Sequence, residues 1–106
     1  MEIKLLKPTT YDDVEYKKLV LDLEELSGQD LINATKEAKA LGDKSAVAEF
    51  SKTYQAVVAA KAAKVPVDLI LLLKAKDFTQ VTLHTQNFLL DGGSAETSTT
   101  PSVTLQ

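Results

Sequence analysis

The chain has 106 residues, 44% of them hydrophobic and 25% charged, a formal net charge of −3 and no cysteine. This is the profile of one ordinary domain that builds its core without disulfides, zinc–thiolate sites or cysteine nucleophiles. Every basic residue is a lysine, so the forked guanidinium that reads phosphate or guanine is missing and the net field repels a polyanion; no nucleic-acid partner is expected.

The N-terminal stretch Met1-Glu2-Ile3-Lys4-Leu5-Leu6-Lys7-Pro8 is sparsely apolar and broken by Pro8. It resembles neither a secretory h-region nor a membrane anchor, which points to a cytoplasmic protein with no membrane partner. Ile3 and Leu5 alternate with polar neighbours, Pro8 to Asp13 carries turn chemistry, and alternation resumes at Val14 and Tyr16 before Leu19, Leu21 and Leu23. That reads as a β-hairpin over residues 1–25. The apolar phase slips at Lys17-Lys18, and because a strand has a period of two, a bulge or bend is expected there. A two-stranded hairpin is marginally stable alone, so its apolar face must rest on helices or on another chain.

Residues 26–90 read as helical. Ser27-Gly28-Gln29-Asp30 opens a first helix carrying Leu31, Ile32, Ala34, Thr35, Ala38 and Leu41 and ending at Gly42, with Ser27 and Asp30 spaced as a capping box. Asp43 and Ser45 offer the N-cap of a second helix through Val47, Phe50, Tyr54, Val57 and Val58 to about Lys64. Its many alanines favour the helix and let another helix approach closely. Val65-Pro66 stops it. Asp68 is the expected cap of a short, strongly apolar helix over Leu69 to Leu73, far shorter than the roughly 20 residues of a membrane span. Asp77 is the expected N-cap of a last helix, with Gln80 reaching back and Val81, Thr85, Phe88 and Leu89 on one face. From Asp91 onward Gly, Ser and Thr dominate, and a disordered tail over residues 91–106 is expected. Charge divides at the same borders: −3 over residues 1–25 (seven acids, four lysines), +2 over 26–90 (six acids, eight lysines) and −2 over 91–106.

Candidate chemistry is sparse. His84 is the only histidine and has no carboxylate within a helical turn, so no metal site or activated nucleophile assembles around it locally. Asp12-Asp13, Asp22 and Glu24-Glu25 are solvated carboxylates by position, whereas catalytic pairs need shelter that pushes their pKa values apart. Gly92-Gly93 has no following lysine or helix and fails the phosphate-loop pattern; N-capping accounts for Ser27. No catalytic residue, cofactor or metal is therefore expected, and a buried cleft lined by His84 and two carboxylates is what would reopen an enzymatic reading. The informative surplus is apolar surface, divided between core and a partner groove; the candidate partner-binding residues are Val47, Phe50, Tyr54, Val57, Leu69 and Leu72.

The ordered set Leu5-Leu6-Lys7-Pro8, Tyr11-Asp12-Asp13, Tyr16-Lys17-Lys18-Leu19, Gln29-Asp30-Leu31-Ile32, Val65-Pro66-Val67-Asp68-Leu69, Lys76-Asp77-Phe78-Thr79-Gln80-Val81 and Asn87-Phe88-Leu89-Leu90 resembles the tail assembly chaperones of long-tailed bacteriophages and prophages over roughly residues 2–90. Such proteins usually show a lysine-proline after the first strand, an aspartate-glycine turn, a Gly-Asp or Arg-Asp pair opening the first helix and an Asp-aromatic pair opening the last. This chain has Asp13 where the turn glycine usually stands, and no glycine before Val65-Pro66. The resemblance implies a non-catalytic protein of the host cytoplasm that binds the tape measure protein, helps recruit tail tube subunits and is absent from the mature virion. It also implies a family habit of making a longer product by ribosomal frameshifting, with which a flexible tail is compatible. Self-association is a further use of the same apolar faces.

The resulting expectation is a mostly helical α+β fold: one domain over residues 1–90, an N-terminal β-hairpin followed by three to four helices, then a disordered C-terminal tail. The rival reading is a structural adaptor retained in the tail. A catalyst lacks a nameable set of acid, base and nucleophile, and a DNA-binding regulator lacks arginine.

Overall fold

The computed structural model describes residues 1–45 and 50–91. Strands β1 (Glu2–Tyr11) and β2 (Val14–Val20) form an antiparallel hairpin, followed by one turn of 3-10 helix (Leu23–Glu25) and helices α1 (Gly28–Ala40), α2 (Lys52–Ala63), α3 (Val67–Leu72) and α4 (Ala75–Asp91). The expected hairpin-plus-helices α+β architecture is present. The expected tail beyond Asp91, and Val47, lie outside the described residues.

The hairpin is longer and tighter than its composition suggests. Tyr11 pairs with Val14, so the turn is Asp12-Asp13 alone rather than the stretch from Pro8. Both turn residues have positive φ, 52° and 64°, as a type I′ turn requires, and Asp tolerates that region because its short side chain can bond locally. The phase slip is real: Lys4 pairs with Lys18 and Thr9 with Tyr16, leaving Leu5, Leu6, Lys7 and Pro8 opposite Lys17. Lys18 itself pairs normally, and the extra residues belong to β1. Ile3, Leu5 and Leu19 are buried on one face, while Lys18 bonds Glu2 on the other at 2.9 Å. Met1 and Leu21 extend the ladder: the Leu21 N–H donates to the Met1 carbonyl at 2.7 Å.

Helix α1 starts as read. The Ser27 hydroxyl accepts from the Asp30 N–H at 3.1 Å and the Asp30 carboxylate accepts from the Ser27 N–H at 2.9 Å. That Ser27 N–H, then the Ser27 hydroxyl, hold the Asp30 carboxyl below the ordinary aspartate range. At the far end Gly42, at φ 103°, closes a Schellman motif: its N–H reaches the Lys39 carbonyl and that of Asp43 the Ala38 carbonyl, both at 3.0 Å.

Helix α2 begins later than expected. Its N-cap is Ser51, whose hydroxyl accepts from the Tyr54 N–H at 3.1 Å; the Asp43 carboxylate instead accepts from the N–H and hydroxyl of Ser45 in a local turn. The helix packs against α1, α3 and α4 and touches β2 and the 3-10 turn. Every residue from Tyr54 to Ala60 is buried, so α2 has no polar side and is the spine of the core. Ala34 and Ala38 of α1 face inward and, with the alanines of α2, allow the close approach that small side chains permit. Helix α3 is entered through Pro66 without a side-chain cap; Asp68 lies in its first turn and does not cap it.

Lys64, ending α2, adopts the left-handed conformation at φ 59°, and the Val65 N–H bonds the Ala60 carbonyl at 3.0 Å. A glycine carries no Cβ penalty there, nor at Asp13. Lys64→Gly and Asp13→Gly are each expected to stabilise the domain by about 1 kcal/mol, read as a rise in the urea midpoint at unchanged slope.

Candidate partner-binding surface and the Asp77 clamp

Helix α4 opens at Ala75, two residues before the expected cap, and Asp77 lies inside its first turn. The Asp77 carboxylate is 1% exposed. It accepts the Leu6 N–H at 2.8 Å through Oδ1 and the Lys7 N–H at 3.1 Å through Oδ2. Those two donors lie in the stretch of β1 that has lost its ladder partners to the bulge. Asp77 therefore caps a strand irregularity about seventy residues away rather than its own helix. The Lys7-Pro8 and Asp77-Phe78 pairs, separate features along the chain, are two halves of one hydrogen-bonded joint between sheet and helix.

Five of the six candidate contact residues are among the described residues, and these five do not share one surface. Tyr54, Val57 and Leu69 are core residues, 4%, 1% and 0% exposed, and so are not available on the surface of the folded chain. The helical spacing that suggested a stripe arises because α2 is enclosed on all sides. Phe50 and Leu72, by contrast, are 60% and 53% exposed, and Leu71 is also exposed. The apolar run of α3 is thus divided: Leu69, Ile70 and Leu73 turn inward, Leu71 and Leu72 outward. Exposed large apolar side chains on a small domain are candidates for contact with other proteins.

His84 is half-buried on α4 and lines an open cleft of about 390 Å³ with Asp22, Glu24, Glu25 and Asp91 among its neighbours. These carboxylates are all exposed. The cleft is thus not the sheltered site that splits two pKa values for acid–base work. Among the described residues, no group of three or more His, Cys, Asp or Glu side chains is placed to hold a metal ion, and no helix is long and apolar enough to cross a membrane.

Fold and surface define a small hairpin-and-helix domain with a buried central helix and apolar side chains left in solvent. Residues 2–90 match the family described as phage tail assembly chaperone proteins, E, or 41 or 14. The match spans the whole hairpin and all four helices but for the final residue of α4, and the chain belongs to that family. No curated protein and no solved structure matches the chain. Membership points to a non-enzymatic role in tail assembly carried out through protein partners.

Proposed function

We propose that this chain binds the tape measure protein in the host cytoplasm, keeps it soluble, helps recruit tail tube subunits around it and leaves before the virion is complete. The observation that carries the proposal is the family match over residues 2–90. Phe50 and Leu72 support it: a holder of long amphipathic helices needs apolar side chains in solvent on a body kept soluble by charge, and needs no nucleophile. In this reading Phe50, Leu72 and Val47 belong to the contact surface, and Tyr54, Val57 and Leu69 serve the core that holds it rigid.

Two measurements on infected or induced cells test it. The chain is expected to co-purify with the tape measure protein from lysates taken during assembly and to be missing from finished particles by mass spectrometry. Recovery in particles at a fixed ratio to the tube protein would instead establish the retained adaptor.

A further inference from the structure

The cleft beside His84 has a composition that the proposed function does not use. One wall is a single face of α4, where His84, Asn87, Phe88 and Asp91 recur at helical spacing; the other is the segment from Leu21 through the 3-10 turn to Glu25, with Met1 at its edge. Its floor is apolar: Leu21 and Leu23 are buried and Phe88 is half-buried. Its rim is acidic, with Asp22, Glu24, Glu25 and Asp91 all exposed. Asp91 stands at the negative end of the α4 dipole, and the last turn of α4 has no basic residue to offset it.

Among the residues lining the cleft, the one cationic group is the Met1 ammonium, which already donates to the Leu21 carbonyl at 3.2 Å. All twelve lysines of the chain are among the described residues, and none lines the cleft. The three ion pairs formed among the described residues, Lys17–Glu15, Lys18–Glu2 and Lys61–Glu37, lie elsewhere. The chain's own residues 92–106 offer one charged side chain, Glu96, of the same sign as the rim.

We propose that this cleft docks a cationic amphipathic segment of a protein partner, apolar side chains on Leu21, Leu23 and Phe88 and lysine or arginine side chains against the rim carboxylates. It rests on the chaperone reading only in taking the chain to work by holding another protein. A groove with apolar floor and single-sign rim selects by charge as well as by shape.

The test is a titration of the full chain with a helical lysine–leucine peptide, followed by amide chemical shifts. Shifts are expected to concentrate at Leu23, His84 and Phe88. Glu24→Lys/Asp91→Lys is expected to weaken binding by at least about tenfold, and Asp12→Lys/Asp68→Lys, with the same net charge, to bind like the wild type. Equal weakening by both double variants, equal affinity for a glutamate–leucine peptide, or shifts centred elsewhere would overturn the proposal. So would cleft shifts that follow protein concentration without peptide, which would make a second copy the occupant. If the cleft fails these peptide tests while the chain still holds the tape measure protein, the cleft is refuted and the proposed function stands.

Discussion

Asp77→Ala is expected to lower the stability of the domain by about 3 kcal/mol, because two backbone donors of the bulge, Leu6 N–H and Lys7 N–H, lose the carboxylate of a buried side chain as their acceptor and no ladder partner replaces it. For a domain this small, that is a large share of a typical total of about 5–15 kcal/mol. It corresponds to a fall in Tm of about 12–24 °C, at roughly 4–8 °C for each kcal/mol. Asp77→Asn keeps one acceptor oxygen and is expected to lose less. Hydrogen exchange adds a local signature: the Leu6 and Lys7 amides should lose protection in both variants. A loss below about 0.5 kcal/mol, the range of ordinary surface substitutions, would show that the bulge does not need the carboxylate.

The second large effect divides one apolar run. Leu69→Ala is expected to cost about 2–5 kcal/mol, since Leu69 is fully buried and its removal leaves a cavity beside the spine helix. Leu72→Ala, three residues further and half in solvent, is expected to stay within about 0.5 kcal/mol of the wild type. Urea titration of the pair decides this. Equal losses would mean that Leu72 belongs to the core after all and is not free to meet a partner.

Local features of the chain were open to reading and distant ones were not. The Ser27–Asp30 box, the Gly42 terminus and the phase slip opposite Lys17 are set by neighbours within a few residues, and the structure contains all three. Asp77 has the sequence context of an N-cap, since nothing along the chain shows that β1 leaves two donors unpaired seventy residues earlier. Asp43 and Ser45 have the sequence context of an N-cap for α2, but the helix takes its cap from Ser51. The Tyr54 and Val57 spacing is a one-dimensional signal that cannot tell a helix with one apolar face from one enclosed by three helices and a hairpin. The acidic-rimmed cleft is assembled from residue 1, residues 21–25 and residues 84–91; along the chain His84, Asp22 and Glu24-Glu25 are separate residues, and nothing in their spacing brings them together.

The chaperone account is tested most directly by the fraction of tape measure protein that stays soluble when co-expressed with this chain and its folded variants. The account predicts that the wild type raises that fraction, that Phe50→Glu and Leu72→Glu abolish most of the gain, and that Ile32→Glu, at another exposed apolar residue on α1, leaves it intact. No gain with the wild type, or the same gain with all three variants, would contradict it.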